Sequence, residues 1–278
     1  MPRQMSKEEF EENWYWYLTG EHKNDIIPEY ERILERYRRI SMLFPGNPRC
    51  FECFRPLGGL GSWLTRTYPS RFSPRLCRTC EQIMLETEAG AEVELSLLFA
   101  DVRGSTTLAE QMSVSEFKSL IQRFYQATSA VLVEYNAMVN RLMGDQVIGL
   151  FVPRFAGSKH AEVAISAARE MIRATGHDNR EGQRIPIGIG IHTGVAYVGS
   201  VGTSKGVNEL AVLGPAANLT ARLSSLAADG EILVSEAAVN SAHISTEGLE
   251  SRTLELKGIS QPTVVRVLRL EQHELKTN

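Results

Sequence analysis

Leu97-Leu98-Phe99-Ala100-Asp101-Val102-Arg103-Gly104-Ser105-Thr106-Thr107 is the stretch from which the rest of the chain can be read. Ahead of it, Val93, Leu95 and Leu97 alternate with Glu94 and Ser96, the period of a half-buried strand. The strand turns wholly apolar and stops at Asp101. A short polar turn follows, Arg103-Gly104-Ser105-Thr106, and then a helical pattern begins. A carboxylate at a strand's end, beside a turn that opens a helix, is placed to hold a divalent cation. The free N–H groups of such a turn can cradle phosphates. The same residues also read more plainly, with Asp101 finishing a loop and Ser105 or Thr106 capping the helix.

A second segment tips that balance. Met138-Val139-Asn140-Arg141-Leu142-Met143 and Gln146-Val147-Ile148-Gly149-Leu150-Phe151 read as two strands joined at Gly144-Asp145. A two-residue turn that begins with Gly signals a tight hairpin, which puts Asp145 at its tip. A hairpin lying beside the first strand would point Asp101 and Asp145 at one spot. Two carboxylates plus substrate phosphates are the usual way to hold magnesium.

Composition bounds the rest. The chain has 278 residues, 43% of them hydrophobic, enough for one sizeable core and a smaller unit. A net charge of −3 gives no bulk attraction to nucleic acid, so no nucleic-acid partner is expected. No apolar run has the length of a bilayer span. Met1–Glu9 lacks the apolar core of a signal peptide. The expectation is a cytoplasmic protein with no membrane partner. No repeat of 20–50 residues is evident.

Residues 1–48 read as a helical region. One helix carries Phe10, Trp14, Tyr17 and Leu18 and stops near Gly20; another starts near Pro28 and carries Ile33, Leu34, Tyr37 and Ile40. The run Trp14-Tyr15-Trp16-Tyr17 reads as a core or interface plug. Arg36, Arg38 and Arg39 read as a solvated face. Pro45-Gly46-Asn47-Pro48 closes the region. Residues 49–92 hold all four cysteines of the chain as two CxxC pairs, Cys50/Cys53 and Cys77/Cys80. That pattern points to a four-thiolate structural metal site. Zinc is favoured, because a short segment poor in aliphatic residues needs a staple. An iron–sulfur cluster competes; disulfides or free thiols are the remaining options. The arginines around the pairs, Arg55 to Arg78, read as a solvated surface.

From residue 93 the chain alternates strand and helix patterns. Phe117, Leu120, Ile121, Phe124, Thr128, Val131, Leu132 and Tyr135 form a long amphipathic stripe. Ala161, Ala164, Ile165, Ala168, Met171 and Ile172 form another. Pro186–Ile191 reads as a strand whose glycines let another backbone approach, with a turn at Thr193-Gly194. His192 reads as a satisfied strand-end histidine. Pro215 opens a helix that ends at Asp229-Gly230. On it Asn218 and Arg222 share one face. Strands follow at Glu231–Ser235 and Thr263–Leu268, and residues 271–278 form a tail.

With Phe99–Thr106, Gly144-Asp145, Ile189–Gly194 and Asn218–Leu223 in this order, residues 93–270 resemble a class III nucleotidyl cyclase catalytic domain of bacterial type. The resemblance implies an α/β sandwich, derived from a ferredoxin-like plan, with a largely antiparallel sheet. It implies attack of a ribose 3′-hydroxyl on the α-phosphate of a nucleoside triphosphate, giving a cyclic nucleotide and pyrophosphate. Asp101, Val102 and Asp145 would hold two Mg²⁺ or Mn²⁺ ions. Arg103, Gly104, Ser105, Thr106 and Lys257 would bind phosphates. Asn218 would orient the ribose, and Arg222 would offset charge. In the family the carboxylates and the Asn/Arg helix come from different copies, so a homodimer is implied. The segment before the catalytic domain would carry regulation, with room for a regulatory partner. The positions that read adenine in adenylyl cyclases hold Arg141 and Ala211 instead of Lys and Asp. Arginine only donates, which suits the carbonyls of guanine, uracil or cytosine. ATP leads on frequency within the family. The competing class is a catalytically silent nucleotide-sensing homologue, against which Asp101, Asp145, Asn218 and Arg222 stand together. A zinc-knuckle interaction protein would explain residues 50–80 alone.

Overall fold

The computed structural model describes residues 6–23, 29–71, 73–86, 89–178, 184–202, 208–258 and 261–270; the side chains of 29–33, 140–143 and 208 lie outside that description. The chain divides into two compact units, Met1–Val93 with Tyr197–Val212, and Glu94–Ala196 with Leu213–Asn278.

In the first unit, helix α1 (Lys7–Thr19) begins on a capping box. Ser6 and Glu9 each accept the other's backbone N–H. It stops at Gly20, whose φ of 82° suits glycine. Trp14, Trp16, Tyr17 and Leu18 are buried, so the aromatic run is core. Helix α2 (Glu29–Ser41) follows. Arg36 and Arg39 on it are exposed as expected. Arg38 is not, because its guanidinium sits over the rings of Trp16 and Phe54 at 5.4 and 5.1 Å and Nε donates to the Glu52 carbonyl at 2.8 Å. Helices α3 (Gly59–Thr65) and α4 (Arg78–Glu86) carry the chain to strand β1 (Gly90–Val102), which ends in the second unit.

Then come α5 (Ser105–Gln111), α6 (Val114–Glu134), β2 (Met138–Met143), β3 (Gln146–Phe151), α7 (Pro153–Ala156), α8 (His160–Ala174), β4 (Ile187–Gly202), β5 (Asn208–Leu213), α9 (Pro215–Leu226), β6 (Ile232–Ser235), α10 (Glu236–Ala242), β7 (Glu250–Leu254) and β8 (Thr263–Leu268). The sheet runs β2-β3-β1-β4-β6-β8-β7, with β5 paired to β4 off that path. β1–β3, β2–β3, β6–β8 and β7–β8 pair antiparallel, and β4–β6 pairs parallel. The largely antiparallel α/β sandwich expected from the resemblance is what forms.

Side chains alternate across the sheet, and in the second unit they separate two cores. Leu98, Ala100 and Val102 of β1, Ile187, Ile189 and Ile191 of β4, and Ile232 and Val234 of β6 face α6, α8 and α10. Leu233 of β6 and Val265 and Val267 of β8 face α9 through Leu223 and Ala227. On that second face Gly188 and Gly190 bring β4 against helix backbone. A Cβ at Gly190 would lie 2.3 Å from the Ser224 nitrogen, and one at Gly188 would lie 2.5 Å from the Ala227 oxygen. The turn expected at Thr193-Gly194 does not form. β4 runs straight through, and Gly194 instead makes room beside the His192 ring and Ala216. α9 ends at Leu226, short of the expected Asp229-Gly230, because the Ala227 backbone turns extended.

One buried carboxylate ties β6, β7 and β8. Glu231 accepts two hydrogen bonds from Arg252, at 2.9 and 2.8 Å, another from Arg269 and one from the Ala228 N–H at 3.1 Å. Arg252 first, with Ala228 and Arg269, holds its pKa down to about 2 despite burial. A depressed folded value means stability present above the unfolded value of 4.5 and lost as pH falls toward 2. Glu231→Gln is expected to destabilise by about 2–3 kcal/mol at pH 7, since charged hydrogen bonds go but both arginines stay partly solvated. Urea melts at pH 7 and pH 3 check it: acid should weaken wild type more than the variant.

Candidate active site

β1 delivers Asp101 to its last turn, and the β1–β3 register sets Asp101 opposite Gln146, the residue after Asp145. The Val102 N–H donates to the Asp145 carbonyl at 2.9 Å, so strand end and hairpin tip are joined. Gly144 takes a φ of 62° in the tip, a conformation costly for other residues. The Tyr125 hydroxyl, on α6, donates to the Gly144 carbonyl at 2.7 Å. Ser105, first residue of α5, donates its hydroxyl to Asp145 Oδ2. Asp101 and Asp145 thus meet, as the hairpin reading expected.

Asp101 Oδ2 pairs with the Arg103 guanidinium. Its Oδ1 is buried and has no hydrogen-bond partner among the described residues. Burial pushes the Asp101 pKa up; Arg103 counters that, and the neighbouring Asp145 adds to it. A buried acceptor with no donor, next to a second carboxylate that repels it, is a donor set that fits a hard divalent cation.

Arg103 is engaged within the protein on every side described. Its N–H donates to the Pro186 carbonyl at 2.8 Å, and Nη1 donates to the carbonyls of Ser225 and Ala227 at 2.9 and 3.3 Å. It therefore closes the C-terminal end of α9, where a cation is favoured. With the Val102 and Arg103 N–H groups both used, the anion-facing part of the turn narrows to Gly104, Ser105 and Thr106. Gly104 caps α5 with no side-chain hydrogen bond, and the first-turn N–H groups have no intrahelical acceptor.

Asn218 and Arg222 stand exposed on α9, and neither side chain has a hydrogen bond or ion pair among the described residues. Lys257 is exposed after Leu256, which packs with α9. Ala211 is half-buried on β5, in the first unit. Arg141 lies on β2, and its side chain is outside the described residues. His192 is a satisfied strand residue: Nδ1 meets the Ser235 hydroxyl at 2.8 Å, and burial pushes its pKa down to about 4. A cleft of about 900 Å³ opens beside Asp145, lined by Ser105, Thr106, Phe117, Ile121 and Tyr125 among others; Asn218 and Arg222 do not line it. Tyr125 and the guanidinium role of Arg103 were not foreseen. Their contacts join residues far apart in sequence, and no local pattern marks them. The four cysteines are all buried, with their sulfurs within 4.8 Å of one another and no disulfide.

The model of the adenylate and guanylate cyclase catalytic domain matches residues 88–268. An adenylate cyclase of Anabaena cylindrica is 27% identical over 151 residues, which are 51% of this chain and 29% of that relative. Adenylate cyclase 1 of Rhizobium meliloti is 28% identical over 49% of this chain and 21% of its own length. The chain thus spans less than a third of either relative. Among solved structures, the guanylyl cyclase Cya2 superposes with a TM-score of 0.59 at 26% identity, covering 64% of this chain and 92% of that one. The adenylyl cyclase CyaB from P. aeruginosa gives 0.55 at 25% identity, covering 64% and 95%.

Proposed function

Since the chain belongs to the adenylate and guanylate cyclase catalytic domain family, we propose that it converts a nucleoside triphosphate, ATP first, to a 3′,5′-cyclic nucleotide and pyrophosphate, as a cytoplasmic homodimer. Residues 93–270 are the catalytic domain in this reading, preceded by the helical region 1–48 and the four-cysteine segment 49–92, through which a regulatory partner would act. The observation that carries it is the buried Oδ1 of Asp101, which has no hydrogen-bond partner among the described residues and stands beside Asp145.

Asp101 and Asp145 would hold two Mg²⁺ or Mn²⁺ ions, with Val102 completing the set. Bound there, such ions lower the pKa of the attacking hydroxyl and offset charge in the in-line displacement. Ser105 and Tyr125 orient the Asp145 side of the site through the hydrogen bonds described. The N–H groups of Gly104, Ser105 and Thr106 face the phosphates, with Lys257 as a further cation. Arg222 stabilises transition-state charge, and Asn218 positions the ribose. Both are exposed and outside the Asp145 cleft of their own chain, which supports their serving the site of a second copy.

The test is incubation of purified protein with each of the four nucleoside triphosphates and Mn²⁺, with products identified by mass spectrometry. One cyclic nucleotide is expected to dominate. No product from any of them, with nucleotide still bound, would leave the silent sensing homologue. The base is read at Arg141 and Ala211 in this proposal. Arg141→Ala should cost about ten- to a hundred-fold in kcat/KM for the preferred nucleotide, the loss of a charged hydrogen bond. Arg141→Lys with Ala211→Asp should shift preference toward ATP. An unchanged selectivity ratio would remove both residues from base choice.

A further inference from the structure

The cyclase reaction makes no use of the four cysteines, yet the fold gathers them. We propose that Cys50, Cys53, Cys77 and Cys80 bind a single tetrahedral zinc ion that takes the place of a hydrophobic core for residues 49–80. The spacing of the sulfurs separates a single ion from a cluster. Four sulfurs at about 2.3 Å from one tetrahedral ion stand about 3.8 Å from each other. Cys50 and Cys80 are 3.9 Å apart, Cys53 and Cys77 are 3.7 Å apart, and no pair exceeds 4.8 Å. An iron–sulfur cluster sets at least two irons and bridging sulfides among its thiolates, which spreads them wider than the edge of one tetrahedron. A disulfide needs about 2.05 Å.

The backbone is shaped for the same geometry. Phe54 adopts a φ of 58°, uncommon for an aromatic residue, and this closes the first knuckle. The Cys50 N–H donates to the Arg55 carbonyl at 2.9 Å, and the Phe54 N–H donates to the Cys50 carbonyl at 3.0 Å. The Cys77 N–H donates to Cys50 Sγ at 3.2 Å and the Cys80 N–H to Cys77 Sγ at 3.4 Å. Such N–H donors around sulfur orient and stabilise metal thiolates.

Burial completes the case. Among the described residues of this segment, Pro56, Leu57 and Leu76 are the buried apolar side chains besides the cysteines. Leu60, Trp63, Leu64 and Tyr68 are 56–76% exposed, while all four cysteines are at most 8% exposed. The large apolar groups are outside and the sulfurs inside, an inversion that leaves metal bonds to do what packing does elsewhere. Cys80 lies in the first turns of α4, which leads into β1, so the ion also anchors the approach to the strand that bears Asp101.

The experiment uses the full chain, purified without added metal or chelator. Elemental analysis should give one zinc per chain, and Co²⁺ exchanged for it should show the absorption of a tetrahedral thiolate site. Cys50→Ser and Cys80→Ser should each lose the zinc. Those variants can misfold, so wild type is also digested with trypsin before and after chelation. Cleavage at Arg66, Arg71 and Arg75 should accelerate by about tenfold or more on chelation and slow again when Zn²⁺ is restored. Iron in place of zinc, with or without acid-labile sulfide, overturns the assignment. So do four freely titrating thiols in metal-free protein as isolated, disulfides in stoichiometric amount, or digestion that is indifferent to metal.

Discussion

Asp101→Ala and Asp145→Ala are each expected to lower kcat by about three orders of magnitude or more at saturating Mn²⁺, without loss of the fold. Each substitution deletes a carboxylate of the proposed pair; in Asp101 the lost Oδ1 is buried with no donor among the described residues. For Asp101→Ala the effect on stability should run the other way. Burial raises the Asp101 pKa. An acid raised on folding contributes stability below its unfolded pKa and loses it as pH rises, so at neutral pH the ionised group opposes folding of the metal-free protein. Arg103 loses its ion pair in Asp101→Ala but keeps the carbonyls of Ser225 and Ala227. Rate assays with Mn²⁺ should show turnover gone in both variants, and thermal melts of Asp101→Ala without it should show Tm unchanged or higher. A folded variant that retains near-wild-type turnover would refute the metal role.

The second large effect is a recovery. Asp101→Ala and Arg222→Ala homodimers should each be inactive. Mixed under subunit exchange, they should regain about a quarter of the wild-type rate. Half of the dimers are then mixed, and each mixed dimer has one complete site, formed from the carboxylates of the Arg222→Ala copy and the α9 of the Asp101→Ala copy. If both residues served the site of their own chain, every site in the mixed dimer would lack one of them. Equal amounts of the two variants, incubated until labelled subunits have exchanged, decide the matter; full exchange with no activity excludes a shared site.

Much of this arrangement was legible because it rests on local patterns. Alternation carried β1 to Asp101, and the Gly144-Asp145 pair between two apolar runs marked the β2–β3 hairpin with its ends in place. Spacings of three and four marked α6 and α8. What stayed hidden depended on distant partners. A glycine that turns the chain and one that admits a neighbouring helix look alike in sequence, so Gly194 read as a turn where β4 continues. Arg103 read as part of a phosphate-facing turn, because the α9 carbonyls that engage its guanidinium lie more than a hundred residues on. The grouping of 197–212 with the N-terminal residues has the same cause: the Ser200 N–H and hydroxyl bond to the carbonyls of Ala89 and Leu85, at 2.8 and 2.7 Å.

The glycines also set how closely α9 lies on the sheet. α9 rests on β4 with no side chain between the backbones at Gly188 and Gly190, so it has no cushion on which to rock. Asn218 and Arg222 ride on that rigid body. At the other end of the chemistry, Gly104 and Gly144 have no described atom within 4 Å of where a Cβ would stand, and the turns they form are held by hydrogen bonds from the Val102 and Arg103 N–H groups and the Ser105 and Tyr125 hydroxyls. In the proposed reaction α9 would present Asn218 and Arg222 from a position set by backbone contact with β4, so a side chain introduced at Gly190 is expected to displace both.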